Sequence, residues 1–176
     1  MTAVVSGFQP PAAIPPALRT RRAVTMAARE TAVFGMGCFW NPQVAFQNTP
    51  GVTSATVGYA SAEPKLVGSL EKPSYFSVSL GDGYTEAVCV EYDPGMVSYE
   101  ALLSVFWSEH DASAPVTKAQ YASVIWPTTD EQRRLAEAQV TAYRDSVVTV
   151  IGERPTDGAA GGFVEGETYH RKCCGT

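Results

Sequence analysis

The chain has 176 residues, a formal charge of −5 at neutral pH and four cysteines, which leaves room for one domain with a full core and too little for two of ordinary size. Its acidic balance shows no basic stripe, which argues against nucleic acid, and no apolar run approaches the roughly 20 residues of a bilayer span, which argues against a membrane role. Cysteines at 38, 89, 173 and 174 fit neither a paired disulfide framework nor zinc-site spacing, so reactive thiols in a reducing compartment, and no metal, are expected.

Residues 1–30 hold Arg19, Arg21, Arg22 and Arg29, several alanines and prolines, and no acid before Glu30. This composition predicts a disordered leader or transit peptide, plastid before mitochondrial, with a cytoplasmic protein as the alternative. The folded domain is then expected over 31–176.

Thr31–Phe34 reads as a strand broken by Gly35 and Gly37. Asn41 is expected as the N-cap and Pro42 as the first residue of a helix running to Asn48. Cys38 then stands just before a helix N-terminus, where unpaired N–H groups and the dipole favour a thiolate, the nucleophilic form. Val52–Tyr59 follows as a strand, and Ala60–Gly83 as a long irregular stretch. Tyr84–Tyr92 is the next strand. Ser98 caps a helix with Tyr99, Leu102, Leu103 and Phe106 on one apolar face.

Tyr121–Trp126 reads as a strand, Thr129 with Gln132 as a capping box opening a helix to about Asp145, and Val147–Ile151 as a short strand. The order β-α-β-β-α-β, with an added helix and strand, predicts an α+β fold, the ferredoxin-like split βαβ two-layer sandwich.

Gly37-Cys38-Phe39-Trp40 resembles the active-site signature of the A-type peptide methionine sulfoxide reductases. Lys72-Pro73-Ser74-Tyr75, Gly83-Tyr84-Thr85-Glu86, Tyr92-Asp93-Pro94, His110-Asp111, Gln120-Tyr121 and Thr168-Tyr169-His170 follow in the order of that family. The resemblance covers about 31–172 and implies the same α+β architecture. It also implies reduction of methionine-S-sulfoxide, free or protein-bound, without a cofactor.

Sulfoxide reduction needs a soft nucleophile at sulfur and an acid for the departing oxygen. Cys38 supplies the thiolate and becomes a sulfenic acid. Glu86 is the expected acid, by its match to the family's glutamate, and an apolar pocket would raise its pKa toward neutrality. Phe39 and Trp40 offer a flat apolar surface for the substrate methyl group. Tyr75 and Tyr121 match family tyrosines that hydrogen-bond the substrate oxygen.

Cys173 and Cys174, in a tail read as mobile, are the candidates for resolving the sulfenic acid, with a thioredoxin-type reductant next; glutathione or a glutaredoxin is the alternative. Cys89, mid-strand, reads as inert core. The sequence departs from the family pattern at Asn41, Gln43, Ser61-Ala62 and Tyr84. It also shortens 112–119, which lacks the Arg-Gln-Gly-Asn-Asp stretch and its substrate-site aspartate. This loss keeps open a second function, that of a catalytically weak relative that binds oxidised methionine or senses peroxide through Cys38.

Overall fold

The computed structural model describes residues 28–61, 72–143, 145–153 and 162–170. In chain order the elements are β1 (Glu30–Met36), α1 (Trp40–Gln47), β2 (Val52–Ala60), α2 (Tyr75–Ser79), β3 (Thr85–Tyr92) and α3 (Tyr99–Ser108). A 3-10 turn (Ala119–Tyr121), β4 (Ser123–Trp126), α4 (Asp130–Tyr143), β5 (Val150–Ile151) and β6 (Val164–Glu165) complete them. The sheet order is β5-β4-β1-β3-β2-β6. Its middle four strands, β4-β1-β3-β2, are antiparallel throughout, as the split βαβ reading requires. β5 extends this core in parallel beside β4, and β6 runs antiparallel beside β2.

Strand periodicity divides β1 between two apolar layers. Ala32, Phe34 and Met36 join the main core, whereas Val33 joins a smaller cluster with Ala60, Ala87, Val124 and Trp126. Phe34 is the centre of the main core. Its ring lies 5.1 Å from Phe46 of α1 and 5.6 Å from Phe106 of α3, so both helices are fastened to the middle strand. In α3 the four residues expected on one face are all buried, and Ser98 accepts from the Ala101 N–H as its cap. Each such large side chain contributes about 1.5–3 kcal/mol by leaving water. No helix among the described residues is long and apolar enough to cross a membrane.

Several boundaries differ from the sequence reading. α1 begins at Trp40 with Phe39 as N-cap and no side-chain cap bond; Asn41 and Pro42 are its second and third residues. Proline is harmless there because the first intrahelical bond is donated by Gln43, to the Phe39 carbonyl, and the N–H groups before it have no intrahelical partner in any helix. The stretch 60–83 contains α2, opened by a capping box between Ser74 and Ser77. Five residues are too few to show helical periodicity. The expected strand at 121–126 is divided, Gln120 and Tyr121 belonging to the 3-10 turn and Ser123–Trp126 to β4. The box at α4 is half formed: Thr129 Oγ1 accepts from the Gln132 N–H, but Gln132 Oε1 accepts from Thr128.

Candidate active site

The site lies where β1 ends and β3 begins. Gly37 adopts φ +76°, a left-handed conformation that costs glycine little, and turns the chain out of β1 so that Cys38 stands exposed before α1. Gly35, one turn of the pleat earlier, is needed for closeness. A Cβ there would lie 3.0 Å from both the Ala122 carbonyl oxygen and Thr85 Cγ2, so its absence lets the 119–122 segment and the head of β3 close on β1.

Glu86 is the second residue of β3, in register with Tyr59 of β2, and is 2% exposed. A buried carboxyl needs donors. Its Oε2 accepts from the Phe39 N–H at 3.1 Å and its Oε1 from Gln120 Nε2 at 2.7 Å. Burial raises its pKa above the ordinary carboxylate value, and the two hydrogen bonds offset part of that rise. One of these donors is the peptide N–H immediately following Cys38, so the acid is attached to the backbone of the thiol residue.

The second donor comes from the 3-10 turn. Gln120 is buried, and Thr85 Oγ1 donates to the Ala119 carbonyl at 2.8 Å, tying the turn to β3 beside Glu86. The next residue, Tyr121, is exposed. Burial raises its phenol pKa most, with further rises from the charges of Glu86, Tyr75 and Cys38, so these four groups share one neighbourhood.

Phe39 and Trp40 part company. The Phe39 ring is buried against Tyr59 and His170, whereas Trp40 is 49% exposed. Only Trp40 offers the flat apolar surface expected of both. Tyr75, at the start of α2, is 39% exposed. Its backbone N–H donates to Glu167 Oε1 at 2.7 Å, while the Tyr59 hydroxyl donates to Glu167 Oε2 at 2.7 Å. Burial acts upward on Glu167, but these two donors, its own backbone N–H and the neighbouring His170 together prevail and hold its pKa below the ordinary value.

His170, 6% exposed, packs its ring against Phe39, Trp40, Tyr75 and Tyr169. Among the described residues, neither ring nitrogen has a hydrogen-bond partner.

The structure therefore brings Cys38, Trp40, Tyr75, Glu86 and Tyr121 together and adds Gln120, Glu167, Tyr59 and His170, to which the sequence reading gave no role in the reaction. Gln120 and His170 belong to the motifs Gln120-Tyr121 and Thr168-Tyr169-His170, whereas Glu167 carries no local signal. Cys173 and Cys174 lie outside the described residues. Cys89 is partly buried in β3, and burial chiefly, with the charges of Glu91 and Glu165, pushes its thiol up to about 12, in keeping with an inert side chain. A cavity of about 570 Å³ between α3 and α4, lined in part by Trp107 and Tyr143, includes none of the residues assigned from sequence. The site joins an exposed thiol, a buried carboxyl and two phenols on an aromatic rim, groups that can serve as nucleophile, acid and hydrogen-bond donors.

A family model described as peptide methionine sulfoxide reductase matches residues 30–175. The chain is 41% identical over 160 residues to the peptide methionine sulfoxide reductase MsrA of Rhodospirillum centenum, covering 83% of this chain and 68% of that protein. It is 39% identical over 156 residues to the MsrA of Methanococcus maripaludis, covering 84% and 92%. Among solved structures, methionine sulfoxide reductase A of Corynebacterium diphtheriae aligns with a TM-score of 0.64 at 24% identity, covering 81% of this chain and 72% of that one. Reduced Mxr1 from Saccharomyces cerevisiae aligns at 0.65 with 22% identity, covering 84% and 88%. These two likenesses concern the fold.

Proposed function

This chain belongs to the A-type peptide methionine sulfoxide reductases, oxidoreductases that reduce methionine sulfoxide, and we propose that it reduces the S epimer, free or protein-bound, through Cys38 and Glu86. The observation that carries the assignment of roles is the Phe39 N–H bond, which fastens a buried carboxyl to the residue beside an exposed thiol. Trp40 receives the substrate methyl group, and Tyr75 and Tyr121 donate to the sulfoxide oxygen as it gains negative character.

Neutral Glu86 gives its proton to that oxygen while the Cys38 thiolate attacks sulfur. The S–S bond formed by this attack then breaks as the hydroxyl migrates from the substrate sulfur to the Cys38 sulfur, so that Cys38 becomes a sulfenic acid and methionine leaves as the thioether. A thiol of Cys173 or Cys174 then condenses with the sulfenic acid, releasing water and forming a disulfide, which a thioredoxin-type dithiol reduces by exchange.

The second function, binding oxidised methionine or sensing peroxide, is favoured by the lost aspartate-bearing stretch in 112–119. Turnover of both epimers of a methionine sulfoxide peptide by the full chain, with dithiothreitol and then thioredoxin, separates the two. Sustained reduction of the S epimer is expected. Binding without turnover would transfer the assignment to the second function. Serine at both 173 and 174 should spare the first turnover and stall cycling on thioredoxin; unchanged cycling would move regeneration to glutathione or a glutaredoxin. For the leader we propose plastid import, supported by its arginines and lack of acids before Glu30. A fluorescent protein carrying residues 1–30 should enter plastids, and retention in the cytosol would refute this.

A further inference from the structure

We infer that Gln120 is a positioning residue of the reductase, holding Glu86 between the two halves of the site and easing the release of its proton. The inference rests on Glu86 as the acid. Gln120 is 2% exposed, and its amide nitrogen reaches Glu86 Oε1 at 2.7 Å, at the short end of the N–H···O range. The other carboxyl oxygen is taken by the Phe39 N–H. The two donors come from different elements. Phe39 belongs to the β1–α1 junction that carries Cys38, and Gln120 to the turn that carries Tyr121, itself pinned through Thr85 Oγ1 and the Ala119 carbonyl. The carboxyl is thereby registered against the nucleophile on one side and a phenol on the other.

These bonds also bear on the chemistry. Donors to a carboxyl stabilise its ionised form, which is the product of proton donation, whereas burial stabilises the neutral form that waits for substrate. The Gln120 amide is worth more after the proton has left than before. It therefore lowers the barrier to transfer, in contrast to a contact equally strong in both states. A hydrophobic residue in its place would leave Glu86 a stronger holder of its proton and a poorer donor.

The test uses the full chain and single-turnover formation of methionine from a methionine-S-sulfoxide peptide between pH 5 and 9. Gln120→Met keeps length and loses the donor. The chemical step should slow roughly ten- to hundredfold, as loss of a hydrogen bond to a charged group implies, while KM changes little. The alkaline limb of its pH profile should move up by about 1–2 units, the same free energy expressed as a pKa change. In a Glu86→Gln background the same substitution should cost under about threefold, because the two residues act as one unit.

Gln120→Glu should recover part of the rate at pH 5, where its protonated carboxyl can donate, and none at pH 8; the near-ultraviolet circular dichroism of each variant reports folding. A uniform loss with an unmoved alkaline limb, or the full penalty persisting in the Glu86→Gln background, would overturn the inference. If Glu86→Gln alone leaves the chemical step intact, the acid assignment has failed and the inference with it. A large Glu86→Gln effect beside a neutral Gln120→Met would sink the inference alone.

Discussion

Glu86 and Gln120 are almost wholly buried and bonded to each other, whereas Trp40, Tyr75 and Tyr121 stand 39–49% exposed around an exposed Cys38. The acid wall and the aromatic rim are a few residues apart in sequence at both places, Phe39 beside Trp40 and Gln120 beside Tyr121, yet neighbours point to opposite environments. A group whose protonation must be controlled is withdrawn from water and given fixed donors. Groups that must meet a mobile side chain remain on the surface, where apolar area and phenol hydroxyls can be exchanged for water. Each junction supplies one residue to each task.

Replacement of the nucleophile should break the rim side completely. Cys38→Ser is expected to lose sulfoxide reduction by at least roughly 10³-fold while keeping the fold, since a hydroxyl at neutral pH is a far weaker nucleophile of similar size. Measurable multiple turnovers by that variant would remove Cys38 from its role. On the acid wall, Glu86→Gln should slow the chemical step by roughly 10²–10⁴-fold.

The pH dependence has a definite sign. Glu86 works protonated, so on the alkaline side of its profile the wild-type rate should fall as pH rises through a pKa displaced upward by burial. The Gln variant should show no such limb. A limb that survives in Glu86→Gln would belong to another group. Trp40→Ala comes next: with half its ring in solvent it should raise KM about tenfold and leave kcat within about threefold. A fall in kcat at unchanged KM would mean that Trp40 acts in the transition state instead.

The smallest expected effect is on stability. Because the folded pKa of Glu86 lies above its ordinary 4.5, the folded state holds more protons than the unfolded one between the two values. Stability therefore declines as pH rises through that window. Glu86→Gln removes this decline. Its melting temperature relative to wild type should increase from pH 4 to pH 7 by a few degrees, at about 2–4 °C per kcal/mol for a domain of this size. A constant difference across that range would contradict the buried-acid account.

Much of this contrast was legible in the sequence, though unevenly. Cys38 before a helix was readable from its immediate neighbours, because glycine, aromatic and helix-start signals are local. The exact start was misplaced, since Asn41 and Pro42 suit a cap but are equally harmless inside the first turn. Glu86 needed the family resemblance: an acid opening a strand is ordinarily solvated, and only the distant Phe39 and Gln120 make it a buried one. Gln120 stands beside Tyr121 in the family's motif, but a neutral amide carries no titration or nucleophile signal that would assign it a role. Phe39 looked like its neighbour Trp40 in composition, and one backbone rotation separates core from surface. The 3-10 turn is not separable from β4 by periodicity, because Tyr121–Trp126 is one mostly apolar run.

The Phe39 N–H also offers an observable. It belongs to the peptide unit that begins at the Cys38 carbonyl and ends on Glu86 Oε2, so its proton resonance should sense two events at once: the charge on the carboxyl and the oxidation of the neighbouring sulfur. A sample labelled with nitrogen-15 at phenylalanine would place both halves of the reaction on one cross-peak. Loss of the carboxyl proton should move it downfield, and conversion of the thiol to its sulfenic acid should displace it again, so a single amide reports the state of both partners.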